Sequence, residues 1–387
     1  MTFRFLGLSL KWRVLVVCTV AFSVAHACRL VLSPILPLAK AEFNLNYLQT
    51  SIFSSSFDLG YAVGLLSMAF LGNILEKKRM VMLSMLLVAV MSTYTGLASS
   101  YWHLLVSRLL GGFGYSLYLV AGISVISDHF MPEERGKSMG FHSTGSAFGR
   151  FYGALIGGSV TAMLGWREAF YVTSLVAASV FILVWVGLQR TRSEEAPSVS
   201  FKLHMNLDRR IVSLVPPQSA ATIFFISMFT FIPLQMVEVA GFSAEAVGFF
   251  FAVTSITTVV ANPFIGHLSD RVGKREASIL FLVVGAALSF IFPYIRFWGH
   301  LILFSVGLGV TIGSTIFILL AYVTEVTMPV SRAPTLGVFN GTAVGITLVS
   351  MVFFGHVADW LGLGVVFHIQ ALILLAAAAL SYAYRPL

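Results

Sequence analysis

Residues 297–324 read FWGHLILFSVGLGVTIGSTIFILLAYVT, twenty-eight positions without one charged side chain. Coiled as an α-helix at 1.5 Å per residue, the run is about 42 Å long, more than the ~30 Å hydrocarbon core of a bilayer. A helix bonds all its backbone groups internally, so it is the form in which such a stretch can sit in lipid. Further charge-free runs recur along the chain: Met80–Ser107, Leu109–Ser127, Ala169–Gln189, Ile211–Val237, Ala246–Ser269, Ala277–Ile295, Ala333–Ala358 and Trp360–Tyr384. Three more segments of crossing length carry a single buried charge each, which brings the expected count to twelve. The crossings are placed near 13–38, 46–72, 80–99, 102–127, 138–163, 167–189, 214–239, 244–266, 277–296, 300–324, 334–357 and 362–384.

The whole chain agrees with that reading. Of its 387 residues 58% are hydrophobic and 10% charged, against roughly 25% charged in soluble proteins. A soluble domain, a disordered chain and a nucleic-acid binder are excluded, although the formal charge is +8. Topology accounts for that surplus. With the N-terminus inside, eighteen of the twenty-four basic residues fall in cytoplasmic segments, and the outer loops hold only Lys40, Arg167 and Arg296. Both termini are therefore expected in the cytoplasm, in a multi-pass protein of a bacterial-type inner membrane. Cys18 and Cys28 share the first crossing about 15 Å apart, too far for a disulfide.

The polar stretch Arg190–Arg210 divides six crossings from six, giving bundles at 1–189 and 214–387 joined by a linker at 190–213. The two parts repeat each other. Pro132-Glu-Glu-Arg135-Gly-Lys-Ser-Met-Gly140 aligns with Pro329-Val-Ser-Arg332-Ala-Pro-Thr-Leu-Gly337, and Leu164-Gly165 with Phe170 aligns with Leu361-Gly362 and Phe367. Two parallel repeats imply an axis along the membrane normal and a binding site between them at mid-depth. The expected fold is an all-α membrane protein, twelve transmembrane helices in two pseudo-symmetric six-helix bundles around a central cavity.

Between the eighth and ninth crossings stands Gly266-His-Leu-Ser-Asp270-Arg271-Val-Gly273-Lys274-Arg275, with a shortened copy, Gly72-Asn-Ile-Leu-Glu76-Lys77-Lys78-Arg79, between the second and third. The fourth crossing carries Arg108-Leu-Leu-Gly-Gly112-Phe-Gly114, and Gly165-Trp166-Arg167-Glu168 follows the fifth. In these elements and their order the chain resembles the major facilitator superfamily. The resemblance implies transport by alternating access, with a gating loop at Gly266, Asp270, Arg271, Gly273, Lys274 and Arg275, and a weaker one at Glu76 and Lys77. The glycines suit close packing and tight reversal, and the charges suit contacts that hold one state and release in the other.

Four charged residues lie well inside crossings: Arg29, Asp58, Arg108 and Arg150. Each arginine at a helix centre costs roughly 2.5–3.5 kcal/mol even on the lenient insertion scale, so these groups face partners or water and not lipid. Their counterparts in the second repeat are uncharged, which argues for function over scaffolding. Three cations against one carboxylate leave room for an anion, which guanidinium groups grip through paired hydrogen bonds. Arg29 and Arg150 are read as substrate ligands, with His26, Tyr115, Tyr118 and Asn340 beside them; an interhelical strut is the alternative for Arg29. Asp58, His26 and Arg108 are read as proton-coupling residues, and a permanent ion pair of Asp58 with Arg108 or Arg150 is the alternative. The remaining histidines, His142 among them, show no ligand spacing, so no metal and no cofactor are expected.

The surroundings of Arg29 resemble, more loosely, the organic-anion and monocarboxylate:proton symporter branches of that superfamily. The expected function is transport of a small organic anion by proton symport, in a protein that is monomeric. The alternative is proton-antiport efflux of a drug or hydrophobic metabolite. An enzyme is not expected, since no nucleophile set, metal cluster or nucleotide loop is present in the sequence.

Overall fold

The computed structural model describes residues 9–71, 75–189, 209–327 and 329–383, and every regular element among them is helical. Twelve crossing helices follow in order: α1 (Leu10–Glu42), α2 (Tyr47–Leu71), α3 (Lys77–Gly96), α4 (Tyr101–His129), α5 (Pro132–Leu155, prolonged through a π turn at Ile156–Val160), α6 (Trp166–Gly187), α7 (Val215–Leu234, ending in a π turn at Gln235–Val239), α8 (Ala244–Val272), α9 (Lys274–Ile291), α10 (Trp298–Val326), α11 (Pro329–Leu361) and α12 (Leu363–Ala383). Ten of these spans pass by length and hydropathy alone. The other two, α2 and α5, are among the helices that carry buried charges. Gly72, most of the linker (190–208), Arg4 and Arg385 lie outside the described residues.

Two crossings expected as single helices are broken. Helix α1 stops at Leu30 and resumes at Leu32. Pro34 has no N–H to offer the carbonyl of Leu30, and its ring crowds that carbonyl, so the hydrogen-bond ladder ends with Val31 N–H to Ala27 O at 2.8 Å. Helix α10 is interrupted at Ile312–Gly313, where Gly313 takes φ +88°. Helix α5 begins at Pro132, six residues before the expected start, because a proline at the first helical position loses nothing.

The residues form two compact units. The first comprises Met1–Phe43, Ser56–Val199 and Ser243–Ala252; the second comprises Asn44–Ser55, Ser200–Phe242 and Val253–Leu387. In the first, α1 and α5 meet backbone to backbone. A Cβ added at Gly145, Gly149 or Gly153 would stand 2.6, 2.1 and 2.7 Å from Thr19 O, Ser23 O and Ala27 Cα, a stripe at fourfold spacing on both helices. Helices α2 and α4 cross equally closely, with a Cβ at Gly112 placed 1.9 Å from Phe57 O. That crossing sets Phe57 and Asp58 beside the Arg108 turn. Leu15, Cys18, Phe22, Phe57, Val81, Met85, Tyr115, Tyr118 and Val184 fill the core between these helices.

The second unit is held by smaller apolar clusters, Ile265 with Ala277, Phe281 and Ile318, and Ile211 with Leu319, Val323 and Phe339. Buried amides link its helices, Gln370 donating to Ser227 and Gln218 to Asn340 at 3.4 Å. The Asp359 carboxylate accepts from the backbone N–H groups of Tyr47 (2.7 Å) and Leu48 (3.1 Å), the opening residues of α2, while Tyr47 Oη donates to Glu238 at 2.7 Å. Exposed apolar side chains such as Leu66, Leu175, Phe264, Leu303 and Val349 supply the surface that lipid tails cover.

Candidate functional site

The four buried charges come together in the first unit. Arg29 Nη2 donates to Asp58 Oδ1 at 2.6 Å; the arginine side chain is 21% exposed and the aspartate 7%. The partner of Asp58 is thus Arg29, whereas the sequence offered Arg108 or Arg150. Arg108 does something else. Its Nη1 and Nη2 donate to the carbonyls of Cys28 (3.1 Å) and Arg29 (3.4 Å), the acceptors left bare where α1 breaks. The positive group also sits at the negative end of that half-helix, 4.6 Å from the centre of the Phe57 ring. Phe57 lies 6.0 Å from the Arg29 guanidinium as well, so one aromatic face serves two cations.

Arg150 stands apart from these bonds. It is half-buried on α5, lies within electrostatic reach of Arg29, and makes no hydrogen bond or ion pair with the described residues. Three guanidinium groups and one carboxylate leave two positive charges here, of which one closes α1. Arg150 carries the remaining positive charge, while Arg29 is held by Asp58.

His26 is fully engaged: Nδ1 bonds Phe22 O at 3.1 Å and Nε2 bonds Tyr115 Oη at 3.0 Å. With the carbonyl accepting, the proton of a neutral ring is on Nδ1, and Tyr115 donates to Nε2. Tyr118 is wholly buried and gives its hydroxyl to Cys18 O, so it fixes α4 to α1 and offers no free polar atom. Sequence reading passed over His142. It is 3% exposed on α5, stacked on Phe22 at 4.5 Å and near Tyr118 at 6.0 Å. Both of its ring nitrogens are buried without a partner, at a cost of about 1–3 kcal/mol each.

Asn340 belongs to the second unit, where it accepts from Gln218. The loop expected to gate is there too. Gly273 takes φ +100° at the start of α9, a conformation open to glycine, and turns the chain between α8 and α9. Lys274 pairs with Glu325 on α10, and Arg275 donates through Nε to Ser381 O at 2.8 Å on α12. Asp270 and Arg271 are exposed and have no ion pair or hydrogen bond with the described residues, and Gly266 touches nothing a methyl group would meet. Asp270, Gly273, Lys274 and Arg275 border, with Arg210, Tyr322 and Glu325, a cleft of about 360 Å³. In the shorter copy Lys77 pairs with Asp128 at 2.6 Å, and Glu76 meets Arg79 at 3.3 Å.

Residues 18–234 and 218–387 each match the family model described as Major Facilitator Superfamily. The chain is 25% identical over 248 residues to the inner membrane transport protein YnfM of Escherichia coli (strain K12), covering 62% of this chain and 59% of that one. It is 25% identical over 251 residues to the multidrug resistance protein MdtG of Enterobacter lignolyticus (strain SCF1), with 60% and 58% covered. The chain thus spans about three-fifths of the length of these curated relatives. Among solved structures, a bacterial homolog of the human lysosomal transporter Spinster, in its inward-facing and occupied conformation, superposes with a TM-score of 0.79 at 17% identity, over 97% of this chain and 98% of that one. The unoccupied form of the same homolog gives 0.76, over 98% and 99%. These superpositions establish a shared fold.

Proposed function

The chain belongs to the major facilitator superfamily, and from that premise we propose that it is a secondary active transporter of a small organic anion, coupled to protons by symport. The observation that carries the reading is Arg150, a half-buried guanidinium without a counter-charge beside the Arg29–Asp58 pair. A guanidinium in a low-dielectric site attracts a carboxylate or phosphate far more strongly than one in water.

Asp58 supplies the coupling. While ionised it occupies Arg29; once protonated it releases Arg29 to a second anion. Proton and anion then bind together, each favouring the other to the same extent. In this reading residues 1–189 and 214–387 are the two bodies that alternate, joined by the linker at 190–213; the compact units depart from that division by the segments 44–55 and 243–252. The chain works as a monomer with both termini in the cytoplasm.

The relatives named as multidrug resistance proteins favour a second reading, efflux of a drug or hydrophobic metabolite against protons. Substrate charge separates the two, because two surplus arginines repel a cation. The test is a thermal-shift screen of the purified chain with short carboxylates, organic phosphates and lipophilic cations at pH 5.5 and 7.5. Stabilisation by an anion, stronger at the lower pH and lost in Arg29→Gln and Arg150→Gln, supports symport. Stabilisation by cations alone, unchanged in those variants, overturns it.

A further inference from the structure

His142 is, among the described residues, the one side chain with two buried polar atoms and no partner for either. Its surroundings do not supply one. From α1 it stacks on Phe22, whose ring also meets His26 in a T-shaped contact with centroids 4.4 Å apart. From α4 it meets Tyr118, whose hydroxyl is committed to Cys18 O. Thr19 on the facing helix is committed to Leu15 O, and His26 to Phe22 O and Tyr115. Along its own helix the nearest charged groups are Lys137, five residues before, and Arg150, eight residues on.

A phenylalanine or leucine would fill this place without stranding a polar atom. The imidazole instead keeps two polar atoms buried without a partner among the described residues, which calls for an explanation. An imidazolium in this packing would find no counter-ion and no acceptor among the described residues. Beyond it the polar groups continue. His26 bonds Tyr115, Tyr115 stacks edge-on to Tyr61, and the Arg29–Asp58 pair follows. Phe22 contacts both imidazoles.

We propose that His142 is the proton-loading residue of the first unit, the entry station of a route that runs past Phe22 to His26, Tyr115 and the Arg29–Asp58 pair. In the loading step a lone pair on one ring nitrogen takes a proton from water, leaving hydroxide that the bulk buffer neutralises. The imidazolium then needs a wet or anionic partner, which the present packing withholds, so loading goes with a loosening of α5 against α1 around Phe22. The route rests on the proton-coupled reading above; the protonation of His142 does not.

The experiment uses the full-length chain, labelled with ¹⁵N-histidine, in lipid nanodiscs. Imidazole nitrogen resonances are followed from pH 5 to 8.5 in wild type, His142→Gln, His26→Gln and, as a variant that keeps the ring volume, His142→Phe. The expected result is that the titrating imidazoles of the nine histidines include one, belonging to His142, whose two nitrogens converge on the doubly protonated position as pH falls. That titration is lost in both His142 variants and kept in His26→Gln. Persistence of every titrating resonance in His142→Gln and His142→Phe overturns the proposal, whatever the anion screen finds. If the His142 titration is present while no anion stabilises the chain, the loading residue stands and the symport reading falls.

Discussion

Asp58 Oδ1 accepts a 2.6 Å hydrogen bond from Arg29, while the backbone carbonyl of that same arginine accepts from Arg108. One residue is therefore held at both ends, by its charge to α2 and by its main chain to α4. Each partner removed singly strands the other, and this dictates the outcome of mutation.

Arg29→Gln leaves an unpaired buried carboxylate and should cost about 3–5 kcal/mol of unfolding free energy; Asp58→Asn strands the guanidinium less severely, since that side chain reaches partial exposure. The double variant should recover most of the loss, because no buried charge of the pair remains. Thermal unfolding of the four proteins in detergent gives the coupling energy. Strict additivity would show that the pair is not an energetic unit.

Replacing Arg108 by lysine should behave almost like replacing it by glutamine, both losing about 2–3 kcal/mol. An ammonium is a single point and cannot reach the carbonyls of Cys28 and Arg29 in the forked geometry that the guanidinium provides. Chemical unfolding of both variants checks this, and recovery in Arg108→Lys would contradict it.

Glycines of α5 should divide sharply. Gly149→Ala drives a methyl group to 2.1 Å from Ser23 O and should cost about 3 kcal/mol or more. Gly136→Ala, with nothing within 4 Å, should gain about 0.5–1 kcal/mol from helix propensity. Melting temperatures of the two variants, measured side by side, decide the matter.

At the start of α2, Asp359→Ala should lower stability by about 1–2 kcal/mol, and Asp359→Asn by less, since the amide keeps one acceptor for the paired N–H groups of Tyr47 and Leu48. Amide exchange at Tyr47 and Leu48 should quicken in Asp359→Ala while amides in the middle of α4 keep their protection.

On the surface of the first unit, a hydrogen bond from Lys11 at 2.7 Å holds the Glu134 carboxyl below its ordinary value of 4.5. A depressed carboxyl contributes stability that is complete above that ordinary value and lost as pH falls through the lowered one. The wild type should therefore show a slightly steeper loss of melting temperature below pH 4.5 than Lys11→Gln, with the two curves parallel above it.

How much of this was legible in the sequence follows from the range of each interaction. Crossings are local, so charge-free runs located nine of the twelve, and segment length placed the three that carry one buried charge each. The interruption at Gly313 was hidden, because a glycine within an apolar run also packs well in unbroken helices. Charges in apolar surroundings are conspicuous, so Arg29, Asp58, Arg108 and Arg150 stood out. Their pairing was not readable, since it depends on how closely α2 and α4 cross at Gly112. His142 escaped for the opposite reason. It lies in the polar-looking run Gly140-Phe-His-Ser-Thr-Gly-Ser146, and its burial comes from the glycine contact of α5 with α1.

The end of the first half of α1 is finished by a side chain eighty residues further along the chain. During synthesis, then, Cys28 and Arg29 emerge long before the group that satisfies their carbonyls exists. Until α4 has entered the bilayer, the early segment must keep those oxygens hydrated or borrow other donors, and its bend cannot be locked. Assembly of the amino-terminal helices is on this account ordered in time: a nascent chain halted before residue 108 holds a first helix that is inserted but not yet shaped.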